Sequence, residues 1–299
     1  MRSQQSQWRK AALFLLPASA LLLFFFIWPI ALSFFYSMTD MTLSGAKAQA
    51  YSFVGFENFA RLTQDPLFWS SFYNTLIFLV FSAILGQMAL GFLLALLMKG
   101  KGQRLRDFVG ITVLAGWIAP EVVVSFCWIA FFGSSGTLNS LLKGAGLLQK
   151  PIAWLVTFPL VSVIVANIWH GTAFSMLQFQ AALDDIPVAV EEAAQVDGAG
   201  ALRRFFAITL PMVRGTIMTD GVLITLRTLG VFGLIFTMTG GGPGTQSTTL
   251  SIYMYKQAFS SYQMGYGTAI ALVLLLVGVI LSLLYVQITK LGGGRKERT

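Results

Sequence analysis

Charge is what this sequence has least of. Only 11% of its 299 residues are charged and 56% are hydrophobic, against roughly 25% charged in an ordinary water-soluble domain. That composition excludes a soluble globular protein. Cys127 is the only cysteine, so the chain has no intrachain disulfide and no cysteine metal cluster, and Cys127 reads as apolar packing. His170 is equally alone, with no HExxH pattern around it, which leaves metal catalysis without support. A phosphate-binding loop is missing too. TGGGPGTQSTT, residues 239–249, has the glycines, but no strand precedes it and no Lys-Ser/Thr pair follows, so it reads as a turn.

Long apolar runs take the place of these features. A helix needs about 20 apolar residues to cross the roughly 30 Å hydrocarbon layer. Six runs qualify: residues 11–36, 71–98, 108–132, 152–183, 212–237 and 265–288. Arg9 and Lys10 precede the first, and Ala18-Ser19-Ala20 imitates a cleavage site, yet the run stays apolar to Phe35 and suits an uncleaved span. The expected fold is all-α, a polytopic membrane protein whose residues 1–299 form a single domain of six transmembrane helices. The net charge of +8 comes from 20 Lys+Arg against 12 Asp+Glu. With the N-terminus inside, the basic clusters at 2–10, 99–106, 203–214 and 290–298 fall on the cytoplasmic side. Only Lys47, Arg61, Lys143, Lys150 and Lys256 fall outside, and Arg227 lies within a span. This asymmetry places both termini in the cytoplasm. It also accounts for the basic charge without nucleic acid as a partner.

The loops differ in character. Residues 39–70 carry FVGFENFARL and DPLFW, which suggest a short folded external cap, and GSSGTLNSLL signals a turn before a short amphipathic piece. Residues 99–107 form a short basic loop that sets topology, and the tail LGGGRKERT reads as a basic end beside lipid headgroups. The exception is the segment 184–211, containing EEAAQVDGAGALRRFFAITLP, where charge and glycine gather between apolar runs. An aspartate at 184–185 can cap a helix that Pro187 begins. Residues 188–196 then read as a short helix with Glu191 and Glu192 near its positive end. Gly198 and Gly200 permit a reversal, and 201–208 forms a second helix that Pro211 stops or bends. Solvation of a loop would explain the charges, but not the order of the residues.

That order resembles the EAA loop of ABC importer permeases: Glu192-Ala193-Ala194, three residues, Gly198, nine residues, Ile208, one residue, Leu210-Pro211. Ile186-Pro187, Asp197-Gly198-Ala199, FVGFENF, Asn74-Thr75-Leu76, GTLNSLL, Trp154-Leu155, TGGGP and YMYKQAF resemble the carbohydrate-uptake branch, the maltose-type and glycerol-phosphate-type permeases. The resemblance implies a permease subunit with no catalytic residues, metal or cofactor of its own, in a bacterial-type inner membrane and its lipid. It implies a second related permease as a heterodimer partner, two cytosolic ATPase subunits that hold ATP and Mg, and a periplasmic or lipid-anchored solute-binding protein that delivers a carbohydrate. Residues 184–211 would be the coupling loop that docks on the ATPase, with Glu192, Ala193, Ala194, Asp197, Gly198, Ile208, Leu210 and Pro211 as its motif. An ion-coupled secondary transporter would need several mid-membrane charges and an inverted repeat. A membrane-embedded enzyme would need a convergent catalytic set. Neither pattern is found.

Charged residues inside a span mark functional sites by default. Glu121 and Arg227 stand out, and counting at about 1.5 Å per residue puts both, with Trp169, in one layer near mid-membrane. In maltose-type members the residues lining the sugar path correspond to Trp169, Gly171, Phe174, Ile224, Arg227, Thr228 and Val231. Arg227 replaces an aromatic residue there and Val231 an amide, which points to an anionic or modified sugar, since a guanidinium matches carboxylate, sulfonate and phosphate. The other reading is that Glu121 and Arg227 neutralise each other.

Overall fold

The computed structural model describes residues 14–293, with side chains as far as residue 288. Arg2, Arg9, Lys10, the start of the 11–36 run, and Arg295, Lys296 and Arg298 of the tail lie outside the described residues. Six helical stretches are long and apolar enough to cross a membrane: Phe14–Ser37, Pro66–Met98, Glu121–Gly144, Pro159–Asp184, Ala201–Leu229 and Met264–Ile288. The main helices are α1 (Phe14–Ser37), α2 (Glu57–Gln64), α3 (Pro66–Met98), α4 (Gln103–Ile118), α5 (Glu121–Phe132) and α6 (Thr137–Gly144). They continue as α7 (Pro159–Asp184), α8 (Val188–Val196), α9 (Ala201–Leu229), α10 (Gly233–Thr239), α11 (Leu250–Tyr255) and α12 (Met264–Gly293).

Where the helices break differs from the apolar runs, and each difference has a local cause. Pro120 pushes the residue before it away from helical angles, and Ala119 sits at φ −60°, ψ 134°. The 108–132 run is therefore two helices, and Glu121 opens the second. Past Phe132 the chain turns at Gly133, so the apolar stretch Glu121–Gly144 is not one straight rod. Pro211, by contrast, neither stops nor sharply ends its helix, which runs on to Leu229. The turn ahead of it widens over Phe205–Thr209, where the Leu210 N–H bonds to the Phe205 carbonyl. This π-type register absorbs the hydrogen bond that proline cannot make.

The chain forms two compact units. One comprises residues 1–65 and 253–273. Its cap is laced by Asn58, whose amide donates to the carbonyls of Ser37 and Thr39, both at 2.8 Å. Gly265 lies so close to Thr39 that a Cβ would fall 2.1 Å from the Thr39 carbonyl oxygen. Asp65 accepts from the hydroxyls of Tyr253 and Tyr266. Burial, reinforced by that carboxylate, pushes the Tyr253 hydroxyl up to about 12. Lys47 sits 2.7 Å from Asp40 and holds its carboxyl below the usual range.

The other unit comprises residues 66–252 and 274–299. Helix α7 is its axis, packed against α3, α4 and α9. Contacts between apolar helices in lipid depend on close approach of small residues, and α3 and α7 supply them. A Cβ on Gly91 would lie 2.6 Å from Ser175 Cβ, and one on Gly171 would lie 1.7 Å from Gln87 Oε1. Two apolar cores flank the crossing, one around Phe78, Val163, Ile164, Leu234 and Ile235, the other around Ala95, Phe179, Leu183, Ile186 and Val213.

The loops of this unit are closed by two asparagines of the sequence motifs. Asn74 donates to the carbonyls of Thr245 and Thr248, at 2.9 and 3.1 Å. Asn139 is buried, bonds to Gly133, Ser134 and Ile152, and accepts from the indole of Trp154. Substitution of Gly171 by Ala should overpack the α3–α7 crossing and cost about 1–3 kcal/mol. The expected result is a lower thermal midpoint in detergent, partly recovered when Gln87→Ala removes the atom that Cβ strikes. An unchanged midpoint for Gly171→Ala would contradict the packing.

Candidate functional site

The 184–211 segment folds as helix, turn, helix. Glu191 lies in the first turn of α8, where the helix dipole favours it. The helix closes with the Ala199 N–H bonded to the Ala194 carbonyl at 2.9 Å and the Gly198 N–H to the Gln195 carbonyl at 3.0 Å. Gly198 takes φ +73°, and a Cβ there would meet nothing within 4 Å. The backbone angle demands glycine, and the surface above it is open.

One face of α8 is anchored. Ala194 and Ile186 are buried, and Ile186 belongs to the apolar core around Phe179 and Leu183. The other face is free: Glu192, Ala193, Asp197 and Gly198 are exposed. Large apolar side chains stand out beside them, with Val196 88% and Leu202 76% exposed, and Val188 and Phe206 exposed as well. Within the motif, Ala194 thus turns inward while Glu192 and Ala193 face out. Ile208 and Leu210 are half-buried, and Pro211 is exposed on α9.

Two ion pairs join this segment to the end of α3 and the first turn of α4. Lys99 meets Glu191, and Arg106 meets Asp184. In sequence these basic residues read as topology signals; their partners are about 80–90 residues away, a distance no local pattern reveals. All four side chains are partly exposed, so each pair is worth about 1 kcal/mol or less and matters for position more than stability.

The mid-membrane residues separate into two places. Arg227 is exposed and its guanidinium carbon lies 5.1 Å from the Trp117 ring and 5.0 Å from the Phe174 ring. Such cation–π contacts suit a guanidinium away from water. The Trp117 indole nitrogen is buried and has no hydrogen-bond partner. Trp169 is 51% exposed and lines an apolar groove of about 320 Å³ with Ala119, Val123, Val124, Cys127, Trp128 and Phe131. Gly116, next to Trp117, abuts the Trp169 ring, since a Cβ there would lie 3.0 Å from it.

Glu121 and Arg227 form no ion pair among the described residues, which corrects the neutralisation reading. Glu121 is exposed and turns toward α10 instead, where a Cβ on Gly233 would lie 2.7 Å from its Oε2. Gly171, Ile224 and Thr228 are buried inside the chain and Val231 is half-buried against the first core, so Trp169 and Arg227 are the exposed members of the set.

Asp220 was not singled out from the sequence. It is fully buried on α9, accepts from the Ser175 hydroxyl at 3.1 Å and the Gln178 amide at 3.4 Å, and its second oxygen has no partner. A carboxylate in the middle of the 212–237 apolar run was signal enough to find it.

The chain and its fold have counterparts among known proteins. A sulfoquinovosyl glycerol transport system permease protein of Agrobacterium fabrum is 32% identical over 284 residues, 94% of this chain and 90% of that one. A bacterial ABC transporter involved in import of the acidic polysaccharide alginate matches in crystal structure with a TM-score of 0.81, at 26% identity, covering 97% of this chain and 99% of that one. The alginate ABC transporter in complex with an alginate pentasaccharide-bound periplasmic protein matches with a TM-score of 0.78, at 25% identity, over 95% and 94% of the two chains. The family described as the inner membrane component of binding-protein-dependent transport systems matches residues 87–290. This chain, a multi-pass membrane protein of six long apolar helices, belongs to that family.

Proposed function

We propose that the chain is the permease of an ATP-driven importer for an acidic carbohydrate, docked on a separate ATPase through residues 184–211. The observation that carries the reading is the exposed strip of Val188, Val196, Leu202 and Phe206 beside Glu192 and Gly198. A clustered apolar patch with a charged rim marks a protein contact. The resemblance of the motif to the family's coupling helices supports an ATPase that holds ATP and Mg as that protein. The lysine and arginine distribution supports an orientation with that loop and both termini inside. A second related permease and a solute-binding protein complete the assembly.

The substrate class rests on Arg227. A cation at mid-membrane costs about 2.5–3.5 kcal/mol on insertion scales, and Arg227 makes no ion pair among the described residues. Aromatic faces flank the guanidinium. A sugar bearing sulfonate or carboxylate would pair with it, while Trp169 offers a ring face for stacking. Sulfoquinovosyl glycerol and alginate, named for two relatives, are acidic, while lactose and trehalose/maltose, named for others of similar identity, are neutral, so the acidic class rests on Arg227.

Charge reversal at Glu192, or Gly198→Val, should leave the permease folded but reduce co-purification of the ATPase and abolish uptake. A thiol at Leu202 in a Cys127→Ser background should react with an impermeant reagent only from the inner face, and the bound ATPase should protect it. Full assembly and uptake in both variants would remove the docking role. For the substrate, Arg227→Leu should express normally and lose about tenfold or more in uptake, the worth of one charge-assisted hydrogen bond of about 1.5–3 kcal/mol. Arg227→Lys should fall between, because it keeps the charge and loses the fork. Undiminished uptake by well-expressed Arg227→Leu would contradict the assignment.

A further inference from the structure

Helix α4 touches both of these regions and is fixed in neither core. Its 16 residues span about 24 Å, and none of them is buried. What holds it is at its ends, apart from its lengthwise contact with α7. At one end Arg106 pairs with Asp184, the last residue of α7, and the Gln180 amide, with its oxygen turned inward, accepts from Arg106 at 2.8 and 3.0 Å. At the other end Trp117 lies against Phe174 and under Arg227, and Gly116 abuts Trp169.

Both ends are also breaks in the backbone. Gly100, at φ +71°, and Gly102 separate α4 from α3, and the extended pair Ala119 and Pro120 separates it from α5. Between the breaks the helix carries its own hydrogen bonds and moves as one body. Lys99, just before the first break, is held by Glu191 of α8.

We propose that α4 is a strut: Arg106–Asp184 ties it to the start of the coupling segment, Lys99–Glu191 holds the adjoining end of α3 to α8, and α4 carries movement of that segment to Trp117 and the Arg227 clamp. Arg106 is thus a positioning residue, acting on the substrate path from its far end. This rests on the docking reading above and adds the route by which docking reaches the sugar. A pair that only stabilised the loop would leave the distal residues indifferent to its loss. A strut makes the two ends answer together, because a two-state element biased at one end must shift at the other.

Cys127 lies in the groove that Trp169 lines and is exposed, so its reaction rate with a maleimide reports on the distal end without any sugar. In the assembled complex with its ATPase and second permease, Mg-ATP with vanadate should change that rate by about fivefold or more. Arg106→Gln should bind the ATPase and hydrolyse ATP at the parent's basal rate, yet lose the change in Cys127 reactivity. Exchanging the charges, Arg106→Asp with Asp184→Arg, should restore at least half of it.

A second variant, Ile111→Gly with Thr112→Gly, softens the exposed middle of α4, leaves both ion pairs in place and should uncouple in the same way. It decides the matter if Arg106→Gln does not assemble. A nucleotide-dependent change that survives in Arg106→Gln or in the double-glycine variant would overturn the strut, as would a parent complex in which Cys127 does not respond. The docking reading fails separately, when Glu192 and Gly198 variants retain the ATPase and uptake.

Discussion

In hydrocarbon an unpaired backbone amide finds no water, so a chain of this composition can break a helix only where it brings replacement partners. The breaks show how this is done. Asn139 bonds around the turn at Gly133 with its own amide, Asn74 ties down the 239–249 turn, and Asn58 fastens the cap to the end of α1. In that turn the Ser247 hydroxyl donates to Thr239 Oγ1 and to the Gly242 carbonyl, both at 2.9 Å, and Thr248 donates to the Gly241 carbonyl at 2.7 Å. Pro211 is passed by widening one turn of helix instead. The asparagines of the shared motifs thus close the loops that join the spans.

The same scarcity organises the charges. Where a span carries one, the surroundings are adapted to it. Arg227 is held between aromatic faces, and Asp220 is buried among hydroxyl and amide donors. At the loop end, charges pair across distant segments: Lys99 at the end of α3 holds Glu191 of α8, and Arg106 of α4 holds Asp184 at the end of α7.

Much of this was legible in the residues. Six apolar runs gave the bundle, and the motif from Glu192 to Pro211 gave the helix–turn–helix and the need for glycine at its centre, because both depend on local spacing. What stayed hidden depends on direction and on distant partners. Counting along a helix gives depth but not azimuth. It therefore placed Gly171 beside Trp169 on the path, although Gly171 faces Gln87 and Trp169 faces the groove. Counting likewise set Glu121 and Arg227 at one level but could not show that they point apart. The motif assigns Ala194 to the docking loop without showing which way it points, and its side chain closes the inner face of α8. Lys99 and Arg106 looked like topology signals because their acidic partners arrive from beyond the fourth span.

The central claim is that this permease belongs to an importer whose path is built for an acidic sugar. It is tested most directly by reconstituting the chain with its second permease and ATPase, and measuring ATP hydrolysis as the cognate binding protein is offered matched acidic and neutral sugars. The account predicts that the protein loaded with a sulfonated or carboxylated sugar stimulates hydrolysis and drives uptake, while its neutral counterpart does not. Equal or greater stimulation by the neutral sugar would contradict it.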